Sequence, residues 1–181
     1  MQGRLDKPIN HGNLKILNLG CGYDFYGTDR VDMKKTSATT LVLDINEDNL
    51  PFPDEYFDEV RFWKTFEHVK NCGLVMEEVY RVLKKGGKID VTTDNAGYII
   101  FHVKSEHNSY LTSNPFYHRH QEDFHRQLFV PSHLKVHLWK FKNLEWNYDF
   151  NHISKNWWKK IIIYLTPFHL LYEFIHITGV K

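Results

Sequence analysis

Short apolar runs, each stopped by turn residues, set the pattern of this chain. Residues 14–19 form one such run, stopped by Gly20-Cys21-Gly22, and predict a buried strand ending in a tight loop. Residues 30–33 and 40–45 predict two further short strands. The turn Leu50-Pro51-Phe52-Pro53-Asp54 then leads into a fourth over residues 57–63. The clearest helix covers residues 72–85, with Asn71 as N-cap and Gly86 as its stop. Its apolar face gathers Leu74, Val75, Val79, Tyr80, Val82 and Leu83, and Glu77 stands four residues before Arg81 as a solvent-side pair. Residues 88–93 predict a fifth strand. Beyond Asp94 the pattern weakens until a capped amphipathic helix over residues 132–140. A strand at 144–150, a helical stretch at 155–165 and a strand at 171–178 complete the reading. Alternating strand, helix and strand predicts an α/β fold with a mostly parallel sheet and helices packed on it.

Composition narrows the class. The chain has 181 residues, 42% hydrophobic and 25% charged, which fits one globular domain over residues 1–181 and excludes disorder or a fibre. With 23 Lys+Arg against 22 Asp+Glu there is no global field for gripping nucleic acid, so no nucleic-acid partner is expected. Cys21 and Cys72 are too few for a disulfide framework and read as free thiols in a reducing compartment. Residues 1–10 lack an apolar core and no run reaches about 18 uncharged apolar residues, so a cytoplasmic location is expected.

Candidate chemistry gathers at the ends of the predicted strands. Ligands of open α/β sheets bind beyond the carboxyl ends of the strands, where glycine lets a ligand approach the backbone. Gly20, Cys21 and Gly22 close the first strand, and Asp32 and Asp44 stand at the ends of the next two. One carboxylate there can accept both ribose hydroxyls of a nucleoside, and the other can accept from an adenine amino group. The loop has no Lys-Ser/Thr after its glycines, so it is no Walker loop. Phe25 replaces the third glycine of Gly-x-Gly-x-x-Gly, which weakens any phosphate role.

The combination is more specific. Ile16-Leu17-Asn18-Leu19-Gly20-Cys21-Gly22, the stretch from Leu50-Pro51-Phe52-Pro53-Asp54 through Phe57-Asp58-Glu59-Val60, Phe66-Glu67-His68-Val69, and Glu78-Val79-Tyr80-Arg81-Val82-Leu83-Lys84-Lys85-Gly86-Gly87 occur in that order. Together they resemble the class I S-adenosylmethionine-dependent methyltransferases, in particular the small-molecule group. The resemblance implies a Rossmann-like, mostly parallel seven-stranded sheet whose last strand is antiparallel. It implies S-adenosylmethionine as cofactor, with Gly20, Cys21 and Gly22 beneath its methionine and ribose parts and Asp32 and Met33 at the ribose. Asp44 and Ile45 would flank the adenine, and Trp63 would face the methionine moiety. His68, beside Glu67, would lie near the transferred methyl group as a candidate base. Asp24, where the family has a glycine, would stand close to the cofactor's carboxylate. Only Tyr23 to Val31 separates Gly22 from Asp32, so the first helix is expected to be shortened or absent, and the N-terminal helices that often cap the pocket would be missing.

Two segments remain. Residues 94–137 carry seven histidines and follow the fifth strand, so they are the expected substrate-specificity segment, with Tyr98, His102 and His107 nearest the substrate. The spacings His118-x-His120 and His133-x-x-x-His137 suit surface histidines better than a metal site, and no metal is expected. Trp157, Trp158, Lys159 and Lys160 before an apolar run suit either a helix docked on the sheet or weak peripheral contact with a membrane. The resulting expectation is methyl transfer to an oxygen or nitrogen of a small or lipid-linked acceptor. The alternative is a non-catalytic binding or scaffold protein on the same fold.

Overall fold

The computed structural model describes residues 4–95, 129–149 and 174–181. Its centre is a seven-stranded sheet built from β1 (Ile16–Leu19), β2 (Asp29–Asp32), β3 (Leu41–Val42), β4 (Phe57–Trp63), β5 (Leu83–Asp94), β6 (Lys142–Asp149) and β7 (Phe174–Val180). Their order in the sheet is β3-β2-β1-β4-β5-β7-β6. β1 to β5 are mutually parallel, and β7 inserts antiparallel between β5 and β6. The antiparallel terminal strand is thus as expected. No helix stands between β1 and β2: residues 20–28 run through turns straight into β2. A parallel pair normally needs a crossover of about a dozen residues. Here the crossover is only a loop, braced by Thr28, whose N–H and hydroxyl both donate to the Ile16 carbonyl.

The apolar core covers one face of the sheet. Leu17 and Leu19 of β1 register with Val60 and Phe62 of β4, which register with Ile89 and Val91 of β5 and then with Gly179 and Ile177 of β7. Onto this face pack α1 (Cys72–Val82), through Val75, Met76, Val79 and Val82, and α2 (Pro131–His137), through Leu134. Asn71 caps α1 as expected, its side chain accepting from the Leu74 N–H at 3.2 Å. Four details differ from the sequence reading. α1 stops at Val82, because Leu83 turns extended to pair with Phe57 and becomes the first residue of β5. Leu74 is 67% exposed, since it lies about 100° around the helix from the buried stripe. Arg81 pairs with Glu78, and Glu77 reaches across to Lys140. α2 begins one residue earlier than expected, with Pro131 in its first turn and Val130, not Ser132, as its cap.

The opposite face is polar. Asn18, Arg61 and Asp90 sit side by side in register across β1, β4 and β5. Arg61 is 2% exposed, with its guanidinium 4.3 Å from the Tyr26 ring and 4.5 Å from the Trp63 ring, and 3.7 Å from Asp24. Asp90 meets His176 Nε2 at 2.7 Å and Lys88 at 3.2 Å. Burial alone would raise the Asp90 carboxyl, but the His176 bond and the surrounding cations hold it below its usual range.

Candidate functional site

The carboxyl ends of β1 to β4 open on a cleft of about 200 Å³. Its floor is the loop after β1. Gly20 has φ +69° and Gly22 φ +52°, conformations that favour glycine, and both reach the cleft. The N–H groups of Gly20 and Cys21 donate to the Val31 carbonyl at 2.8 and 3.0 Å, which fastens the loop to β2. Nothing lies within 4 Å of where a Cβ on Gly22 would stand, so a ligand can come directly against this backbone.

Two carboxylates flank the floor. Asp32 Oδ2 accepts from the Gly22 N–H at 2.7 Å and Oδ1 from the Lys34 N–H at 2.9 Å. These bonds hold its carboxylate at the rim of the cleft. Asp44 follows β3, and its Oδ1 accepts from the Asn46 backbone and side-chain amides at 2.9 and 3.0 Å. Asn46 in turn accepts from the Lys70 N–H at 2.7 Å, tying this turn to the segment before α1. Between the carboxylates the walls are apolar, from Val31, Leu43, Ile45 and Met33. Adjacent acceptors and apolar walls suit a nucleoside, with its hydroxyls on the former and its base between the latter.

The cleft closes toward β4 with Lys64, Thr65, His68 and Val69. His68 ends a 3-10 turn, Phe66–His68, whose backbone is held by Thr65. Glu67, its neighbour, is 2% exposed and accepts from the Thr93 hydroxyl at 3.0 Å. Burial, with the charge of Asp94 next, pushes its carboxyl up to about 8.

Gly20, Gly22, Asp32, Met33, Asp44, Ile45 and His68, all named from the sequence, therefore line one cleft. Cys21 does not reach the cleft. It is buried, its thiol facing Thr39 at 3.8 Å, and burial raises its pKa. Trp63 is drawn to the polar face of the sheet by Arg61. Asp24 departs furthest from the expectation. It is buried beneath the loop, accepting from the N–H groups of Leu5 at 2.8 Å and Tyr26 at 3.0 Å beside Arg61, because a buried cation needs a buried anion. Lys64, Thr65 and Asn46 line the cleft without any sequence signal, since a lone polar residue at a strand end belongs to no pattern. Tyr98, His102 and His107 lie outside the described residues, as do Trp157 and Trp158. Both cysteines are free and buried. On α2, His133 is exposed and His137 packs edge-on against Phe66 and Phe129.

Residues 17–90 match the family described as a methyltransferase domain. Among curated proteins, a ubiquinone/menaquinone biosynthesis C-methyltransferase of Rhizobium etli is 33% identical over 63 residues, covering 35% of this chain and 24% of that protein. The corresponding protein of Xanthomonas campestris is 32% identical over 82 residues, covering 45% of this chain and 32% of that protein. The match thus spans a quarter to a third of the length of these relatives. Among solved structures, a SAM-dependent methyltransferase of Archaeoglobus fulgidus superposes with a TM-score of 0.65 at 17% identity, over 94% of this chain and 87% of that one. Phosphoethanolamine N-methyltransferase 2 of Haemonchus contortus, in complex with S-adenosylmethionine, gives 0.59 at 16% identity over 97% and 50%.

Proposed function

We propose that this chain, a class I S-adenosylmethionine-dependent methyltransferase by its family match and its fold, transfers the methyl group of S-adenosylmethionine to a small-molecule or lipid-linked acceptor. The observation that carries the reading is Asp32, held at the cleft rim by the Gly22 N–H it accepts from, with Asp44 at the end of the neighbouring strand. Asp32 would take the ribose hydroxyls and Asp44 the adenine amino group, while Ile45 and Leu43 pack on the base. The open space above Gly22 admits the ribose and methionine parts. When bound, the cofactor supplies a methyl group on a sulfonium whose departure leaves a neutral thioether.

The tasks left to the protein are modest. The chain has to line up the acceptor, keep water from the reacting pair and receive one proton. Acceptor oxygen or nitrogen is the expectation from sequence, whereas the curated relatives are named as C-methyltransferases. In each case the acceptor gives up a proton, and His68 lines the cleft where an imidazole can take it. Burial of Glu67 beside it favours the uncharged carboxyl.

Calorimetry with S-adenosylmethionine and S-adenosylhomocysteine tests the reading before any acceptor is known. Saturable binding that Asp32→Ala weakens supports it, and no binding of either compound overturns it. Incubation with methyl-labelled cofactor and a panel of phenols, amines and hydroxyquinones then assigns the accepting atom by mass spectrometry of the product.

A further inference from the structure

We propose that α2 and the turn that follows it form a docking surface for an anionic lipid bilayer. From Pro131 through Leu144 the chain contains no acidic residue, and it carries Lys135, Lys140 and Lys142 together with His133 and His137. The segment is apolar on two sides. Leu134, Leu138 and Phe141 point inward and are buried in the core, while Val136 is 67% exposed and Trp139 72% exposed. The outward pair recurs at a spacing of three, so both side chains lie on one flank of the turn. An exposed tryptophan beside an exposed valine leaves apolar area in water that folding does not cover.

Charge decides what covers it. Lys140 meets Glu77 of α1, with its ammonium 5.4 Å from the Trp139 ring, so this cation is already neutralised. Lys135 and Lys142 are exposed and have no ion-pair partner among the described residues. The nearest chain acid beyond the segment, Glu145, lies on β6. A protein partner would need about 800 Å² of surface, far more than two side chains supply. A bilayer needs less. Tryptophan settles at the headgroup level, valine reaches the acyl boundary and each lysine meets lipid phosphate. Each lysine strengthens attachment about fivefold, from about 1 kcal/mol per cation. Attachment is therefore weak, reversible and sensitive to salt.

The experiment is co-sedimentation of the full chain with vesicles of phosphatidylcholine alone or mixed with phosphatidylglycerol, at low and high salt. Binding is expected only to the anionic vesicles and only at low salt. Trp139→Ser and the double variant Lys135→Glu/Lys142→Glu should each lower it at least tenfold, with thermal midpoint and S-adenosylhomocysteine binding unchanged. Those two controls keep this inference separate from methyl transfer. Absence of sedimentation by the parent protein overturns the proposal, as does binding that both variants retain. Loss of binding only in Trp157→Ser/Trp158→Ser would place the contact elsewhere. Sedimentation of the parent as a dimer that Trp139→Ser dissociates, without lipid binding, would reassign the patch to a second copy of the chain.

Discussion

Gly20 and Thr65 contend for one space: a Cβ on Gly20 would fall inside the Thr65 side chain, 2.7 Å from its Cβ, while Thr65 Oγ1 donates to the Gly20 carbonyl at 3.1 Å. The glycine at the floor of the cleft is thus required by the far wall of the same cleft. Gly20→Ala is expected to destabilise the domain by about 2–5 kcal/mol. About 1–3 comes from overpacking and about 1–2 from placing alanine at φ +69°. Adding Thr65→Gly should restore only the overpacking part. Urea denaturation of the two variants separates the contributions, and a fully restored double variant would show that the backbone conformation costs nothing.

Asp32 is expected to control cofactor affinity. Asp32→Ala removes an acceptor for charged hydrogen bonding worth about 1.5–3 kcal/mol, so the dissociation constant of S-adenosylhomocysteine should rise about 10- to 150-fold. Asp32→Asn keeps an oxygen for the Gly22 N–H and should lose less. Titration calorimetry reads both, and an unchanged affinity in Asp32→Ala would remove the residue from the site.

Arg81 joins α1 to the turn before β4. Its guanidinium donates to both Glu78 oxygens at 2.9 and 2.8 Å, to the carbonyls of Phe52 and Leu50 at 2.8 and 2.9 Å, and to Asp54 at 2.8 Å. The Glu78 carboxyl lies below its ordinary range because of the Arg81 bonds. Arg81→Met is expected to cost about 2–3 kcal/mol, reduced from the sum of the bonds because the side chain is 30% exposed. Arg81→Lys should recover little, since an ammonium cannot reach five acceptors arranged for a planar fork. Thermal unfolding measures the loss, while cofactor affinity should stay within a factor of about two because no Arg81 contact reaches the cleft.

These relationships differ in how far the sequence foretells them. β4 falls where its pattern predicts, because a proline turn on one side and the left-handed Lys64 on the other bound it locally. Asn71 likewise announces itself by residue type. The end of α1 does not, since Val82 and Leu83 continue the helical stripe in sequence, and only the pairing of Leu83 with Phe57 pulls the chain straight. Asp24 follows the same logic. Its place in the loop motif puts it beside the expected cofactor carboxylate, yet Arg61, distant in sequence and buried on the sheet, draws it inward. Pairing across the polar face, such as Asp90 with His176, joins residues whose separation no local pattern spans. The cleft's glycines and strand-end carboxylates belong to contiguous motifs and were legible. Thr65 and Asn46 act through single contacts and were not.

Glu67 should give the domain a pH dependence of known sign. In the unfolded chain its carboxyl ionises near 4.5, whereas burial, and then the neighbouring charge of Asp94, keep it protonated in the fold up to about 8, against the opposing pull of Lys64. Between those values the folded state binds more protons than the unfolded one. The contribution of Glu67 to stability is therefore complete below about pH 4.5 and lost as pH rises through about 8. Glu67→Gln fills the same space, can still accept from the Thr93 hydroxyl and never ionises. Its thermal midpoint should match the parent protein below about pH 4.5, exceed it increasingly as pH rises from there to about 8 and keep a constant lead beyond, because in that window unfolding of the parent releases a proton that the variant does not carry. Parallel midpoint curves for the two proteins across that range would mean that Glu67 is ionised in the fold, and the carboxyl next to His68 would then count as an anion of the site.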